Sequence, residues 1–205
     1  MRTFFRDSDF RDYLLFLSEE LTRAAVAIWS YCLMPNHVHL ILVPAQAKGL
    51  GLGVGEAHRR YTTLVNEREG WQGYLWQGRF RSCPMDEAHL LMAARYVEMN
   101  PVRAGLVASP KSYPWSSAKA HLQGRDDGVV QTQPLLSRMP DWGRFLSGPE
   151  DEDAARRIRA NEKTGRPLGA EEFIRDLENR LRIPLLKRRA GRKPSRSAEG
   201  APGTK

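Results

Sequence analysis

Cysteine is almost absent from this 205-residue chain, which has only Cys32 and Cys83. Two thiols cannot build a disulfide framework, and their separation excludes a CxxC metal knuckle. No apolar run approaches the ~18 residues that a membrane-spanning helix needs. The opening MRTFFRDSDF is charged from its second residue and carries no secretory leader pattern. There is no internal repeat, and the glycines of AQAKGLGLGVG match no phosphate-cradling fingerprint. These absences point to a reduced, cytoplasmic protein of one ordinary domain plus an appendage.

Charge of one sign is concentrated rather than general. The net charge is +8, yet residues 181–205 hold eight basic side chains against the single acid Glu199. The remainder is therefore close to neutral, and a basic disordered tail from Lys187 onward supplies the positive field. Such a tail suits salt-sensitive, sequence-independent contact with phosphates, although it could also merely keep the chain soluble.

Periodicity gives the elements. Asp7 or Ser8 can cap a helix with Phe10, Tyr13, Leu14, Leu17 and Leu21 at three- and four-residue steps. Residues 25–34 and 37–43 read as strands of a hairpin turning near Met34-Pro35-Asn36. AQAKGLGLGVG reads as a loop before a helix from Glu56 to Arg68, and residues 74–85 look strand-like with a central glycine. Asp86 is placed to cap a helix over 87–100 that Pro101 should end. Ser116 or Ser117 can start a short helix. Residues 123–150 read as a linker or irregular lobe. Two short helices follow, around 151–162 and 170–182. The fold class is α+β: an antiparallel sheet flanked by helices, then a small helical C-terminal region.

The stretch LMPNHVHLIL carries the chemistry. Alternate strand residues share a face, so His37, His39 and Ile41 point one way and Val38, Leu40 and Leu42 the other. Two imidazoles roughly 7 Å apart at Cβ can converge on one ion. Hydrogen-bonded surface histidines would give the same pattern. In the helix after Asp86, His89, Met92, Tyr96 and Asn100 line one face, opposite a stripe of Leu90, Leu91, Ala94 and Val97. By spacing alone Tyr96 could equally be a core aromatic. An amide oxygen from Asn100 beside two imidazoles leaves positions open, an arrangement suited to Mg²⁺ or Mn²⁺.

HVH within MPNHVHLIL, WQGRF, ARYVEMNPVRAGLV and YPWSS together resemble the REP-associated tyrosine transposases of the HUH single-strand endonuclease superfamily, among the IS200-like transposases. The resemblance runs from about Thr3 to Leu122 and more loosely through GRPLG. It implies that His37 and His39 bind the metal, that Asn100 completes its shell and that Tyr96 is the nucleophile. The implied domains are a catalytic domain over 1–122, a linker with short helices over 123–186 and the tail over 187–205. Members usually begin with one further strand, and Met1 falls just after the place where it would lie.

The activity implied is cleavage and transfer of single-stranded or hairpin DNA through a 5′-phosphotyrosine, in a cytoplasmic, nucleoid-associated bacterial protein. It would act as a monomer, with a dimer as the alternative. Aromatic stacking and cationic contact hold single strands, which makes Trp76, Arg79, Phe80, Arg81, Arg103, Arg59 and Arg60 the candidate DNA contacts. The rival readings are a non-catalytic DNA-binding protein of the same fold and a metal hydrolase unrelated to DNA.

Overall fold

The structure, a computed structural model, describes residues 2–149 and 151–186. The basic tail expected over 187–205 lies outside them. The chain falls into two compact units, Met1–Gly169 and Ala170–Lys205. No helix among the described residues is long and apolar enough to cross a membrane.

The first unit is built around a two-stranded antiparallel hairpin, β1 (Val26–Met34) and β2 (His37–Pro44). Pro35 and Asn36 turn it. A β-bulge between Ile28 and Ser30 reverses which face successive β1 residues occupy. Val26 and Ile28 before it, and Tyr31 and Leu33 after it, therefore share one core. Cys32 and Met34 join the other.

On the first face lie α1 (Asp7–Arg23) and α2 (Gly49–Glu69), with Phe10, Tyr13, Leu17 and Tyr61 buried against the sheet. Asp9, rather than Asp7 or Ser8, closes the start of α1: its Oδ2 accepts the backbone N–H groups of Phe5 at 2.7 Å and Arg6 at 3.1 Å. Asp9 also pairs with Arg68 of α2. The expected glycine loop is instead the first two turns of α2. A Cβ on Gly53 would stand 2.6 Å from Leu21 Cδ2, and one on Gly49 2.9 Å from Val26 Cγ2. The glycines at 49 and 53 are thus what let α2 approach α1 and β1 so closely.

On the other face α3 (Glu87–Glu98) crosses both strands and is followed by the single turn α4 (Asn100–Arg103). Asp86 caps α3 as expected, accepting from the His89 backbone N–H at 3.0 Å. Residues 74–85 are not a strand. Gly73 and Gly78 take φ of +96° and +127°, and only Met85 bridges another segment, at Leu168.

The outer edge of β1 is covered without a third strand. Leu33 donates to the Trp115 carbonyl at 2.8 Å, Ser117 to that of Tyr31 at 3.0 Å and Gln131 to that of Ile28 at 2.8 Å. Residues 123–149 pack into this unit through α6 (Gln133–Leu136) and α7 (Trp142–Ser147), after α5 (Ala118–Gln123), with Leu135, Trp142 and Leu146 in the core. α8 (Glu152–Thr164) buries Ala154, Ala155 and Ile158 there as well. The second unit contains α9 (Glu171–Leu181), which buries no residue and whose Glu178 accepts the backbone N–H groups of Leu185 and Leu186.

Candidate active site

β2 presents its two histidines on the α3 side of the sheet, as the two-residue alternation requires. Their rings meet edge to face with centroids 4.7 Å apart, and their Nε2 atoms are 3.0 Å apart. Each ring's other nitrogen is held by an acceptor. His37 Nδ1 lies 2.7 Å from Asn36 Oδ1, and His39 Nδ1 lies 3.1 Å from Glu162 Oε1 on α8. With the Nδ1 protons donated to those oxygens, both Nε2 lone pairs face the same point. Desolvation by the packing around it, and then the neighbouring His39, lower the His37 pKa to about 4, although part of the residue faces solvent.

The 3.0 Å separation is that of a hydrogen bond when one Nε2 carries a proton, and of two lone pairs converging on one cation when neither does. For metal–nitrogen bonds of about 2.1 Å at a right angle, the two nitrogens would be about 3.0 Å apart, so the pair matches adjacent corners of an octahedral ion. Among the described residues there is no cluster of three or more His, Cys, Asp or Glu suited to a metal. Glu162 lies on the Nδ1 side of His39, away from the convergence of the Nε2 atoms. Any third protein ligand would be of another type. The Asn100 side-chain Nδ2 is buried and has no hydrogen-bond partner, and the amide turned about its end would offer an oxygen donor. The donor set fits a divalent cation.

Tyr96 comes from α3 to the same place, its ring 5.7 Å from that of His39 and nearly perpendicular to it. The Arg103 guanidinium lies over the phenol ring, 4.2 Å from its centroid, and also donates to the Tyr96 carbonyl. Asn100 stands one helical turn past Tyr96. Tyr96 is only 8% exposed, where spacing alone placed it on a face opposite the buried stripe. The cause is α8: Tyr96, Arg103, Asp151, Ala154 and Ile158 line one narrow crevice between α3 and α8.

Behind the tyrosine, Glu98 anchors the helix. Its fully buried carboxylate lies 2.6 Å from Ser117 Oγ, 2.7 Å from His121 Nδ1 and 3.3 Å from Ser30 Oγ through Oε1, and 2.8 Å from Trp142 Nε1 through Oε2. Two residues from Tyr96, this hub ties α3 to β1, α5 and α7.

The remaining candidates are dispersed. Trp76 and Phe80 pack on the aromatic core, where Trp76 stacks on His58 at 4.0 Å and donates to the His58 carbonyl. Arg59 is paired with Glu56, and Arg60 with Glu19 and Glu20 while covering Phe16. Arg79 and Arg81 are exposed, and Arg81 donates to the Lys163 carbonyl at 3.2 Å. The aromatics that do face outward in this loop are Trp71, 44% exposed, and Tyr74, 96% exposed; a loop rich in aromatics was the only signal for them. Nothing in the sequence pointed to Glu162.

Residues 2–100, nearly half of the chain, match the family model described as "Transposase IS200 like". The match ends on Asn100 and takes in His37, His39 and Tyr96. No curated protein and no solved structure matches the chain. The matched family consists of enzymes that process DNA and generally depend on a divalent metal. Over residues 2–100, the chain is similar to the IS200-like transposases.

Proposed function

We propose that the chain is a metal-dependent single-strand DNA transposase in which Tyr96 is the nucleophile and His37, His39 and Asn100 hold Mg²⁺ or Mn²⁺. One observation carries this reading: two imidazole nitrogens converge to 3.0 Å on a strand, with a tyrosine ring packed against one of them from the neighbouring helix. When bound, the ion polarises the scissile phosphate and stabilises charge on its oxygens.

The rest follows from the side chains. The phenol of Tyr96, with the guanidinium of Arg103 4.2 Å from its ring centroid, gives up its proton as it attacks. The phenolate attacks the phosphorus, the 3′-oxygen leaves and takes up a proton, and a 5′-phosphotyrosine remains. That ester retains the phosphodiester's free energy, so a 3′-hydroxyl from the same or another strand can reverse the step without a nucleotide cofactor. Because Tyr96 is buried, substrate entry requires the α3–α8 crevice to widen. Arg79 and Arg81, with the outward-facing Trp71 and Tyr74, are the groups on the 71–85 loop suited to holding the strand.

The burial of Tyr96 also favours a second reading, a DNA-binding protein of this fold that does not cut. One experiment separates them. The full chain is incubated with Mn²⁺ and a pool of 3′-labelled hairpin-forming single strands, then run on a denaturing gel. The nuclease reading expects a slowly migrating protein–DNA adduct that disappears with Tyr96→Phe and with chelator, while binding persists in the variant. A wild-type chain that binds the pool yet never forms an adduct establishes the binder.

A further inference from the structure

We propose that Glu162 is a positioning residue for His39, holding its proton on Nδ1 so that Nε2 keeps a lone pair directed at the metal position; this rests on the metal reading of the site given above. His37 and His39 have parallel needs and meet them differently. For His37 the acceptor is Asn36, its neighbour in the hairpin turn, at 2.7 Å. For His39 it is the carboxylate of Glu162, at 3.1 Å, from a helix more than a hundred residues further along the chain. A ring nitrogen that donates to a carboxylate fixes the tautomer and raises the basicity of the other nitrogen. Glu162 lies beyond residues 2–100, so the matched segment alone lacks one of the groups that orient its own histidines.

The contact is built rather than incidental. The C-terminal end of α8 is strapped to the segment preceding α3. Leu168 donates to the Pro84 carbonyl at 2.8 Å, and Asp86 donates to that of Leu168 at 3.2 Å. Asn161 Nδ2, adjacent to Glu162, donates to the Pro167 carbonyl at 3.0 Å and closes the turn that follows the helix. One turn before Glu162, Ile158 is buried against the α3 core. The backbone on both sides of Glu162 is thereby held, while its side chain stays 37% exposed. His39 itself is well covered, with its side chain 14% exposed.

The test uses the full chain with ¹⁵N-labelled histidine and the variants E162A, E162Q and H37A. Long-range ¹H–¹⁵N correlation spectra of the metal-free protein report which nitrogen of His39 is protonated. Titration with Mn²⁺, followed by loss of the free-ion electron paramagnetic resonance signal, reports affinity. The proposal expects E162A to move the His39 proton off Nδ1 and to weaken Mn²⁺ binding roughly 10- to 100-fold. E162Q keeps a carbonyl acceptor and should retain the tautomer, with a loss of only a few-fold. An unchanged tautomer in E162A, or unchanged Mn²⁺ affinity in a chain where H37A abolishes binding, overturns the role of Glu162 and leaves the metal reading intact. A wild type that binds no Mn²⁺ overturns the metal reading, while a tautomer shift in E162A still supports the orienting contact.

Discussion

The buried hub at Glu98 gives the sharpest stability prediction. Its carboxylate is the acceptor for the Trp142 indole and the His121 ring, and lies within hydrogen-bond distance of two serine hydroxyls, with no exposure to water. Glu98→Gln keeps the shape but turns one acceptor oxygen into an NH₂ group. Placed at Oε2, that group faces the Trp142 N–H, donor against donor; placed at Oε1, it faces His121 and Ser117. Either way at least one buried donor loses its partner, costing about 1–3 kcal/mol. For a chain of this size 2 kcal/mol corresponds to a drop of about 4–8 °C in melting temperature. Trp142→Phe in the wild-type background removes a hydrogen bond to the carboxylate and should cost about 1.5–3 kcal/mol. In the Glu98→Gln background the same change also removes the clashing donor, so the double variant should be more stable than the two losses added together. The coupling, about 1–2 kcal/mol, is read from urea denaturation as a double-mutant cycle. Additive losses, or a Glu98→Gln chain within 0.5 kcal/mol of wild type, would refute the donor count on which this rests.

Two further outcomes test the scaffold. Gly53→Ala puts a Cβ 2.6 Å from Leu21 and 3.3 Å from the Glu20 carbonyl oxygen; overpacking of about 1–3 kcal/mol outweighs the ~1 kcal/mol gain in helix propensity. Gly51→Ala in the same helix meets nothing within 4 Å and should stabilise by about 0.5–1 kcal/mol, so thermal melts of the two variants should move in opposite directions. Burial pushes the Asp9 pKa up, but Arg68 and the Phe5 and Arg6 N–H groups outweigh it, and the net direction is down from 3.8. A carboxylate depressed on folding stabilises fully above its unfolded pKa and ceases to do so as pH falls through the folded value. The gap in urea midpoint between wild type and Asp9→Asn should therefore be widest near pH 6 and shrink below about pH 3.8; a gap independent of pH would show that Asp9 is not ionised in the fold.

The parts of the molecule legible in its sequence are those set by neighbours along the chain. The HxH alternation, the Pro35-Asn36 turn and the Asp86 cap each depend on a few adjacent residues, and each stands where the pattern put it. The glycines of α2 misled because a glycine signals a loop unless its partner surface is known, and here the partners are Leu21 and Val26. Residues 74–85 have strand-like composition but no strand to pair with beyond the bridge at Leu168. Trp76 looked like a stacking platform, yet its indole lies on His58, a contact across the aromatic core that periodicity does not encode. Glu98 and Glu162 were unreadable for the same reason. Their chemistry comes from partners tens of residues away, and a lone glutamate on a helix otherwise reads as solvated.

α3 shows why those distant partners matter for the proposed nucleophile. An amphipathic helix is fixed along one apolar stripe, and its opposite face is free to adjust. In α3 the stripe of Leu90, Ala94 and Val97 is buried, but so are Ala93, Arg95, Tyr96 and Glu98. Arg95 is satisfied by the carbonyls of Phe145 at 3.0 Å and Leu146 at 3.2 Å, and Glu98 by the hub. A charged residue thus locks the helix immediately before the tyrosine, and another two positions after it. Rotating α3 by even a fraction of a turn would strand one of these buried charges without its partners, at a cost of several kcal/mol. The helix has one setting, and that setting brings Tyr96 against His39. Positional precision of this kind is what the proposed attack of the phenol on a phosphate at a separate strand requires, and a stripe of leucines alone would not supply it.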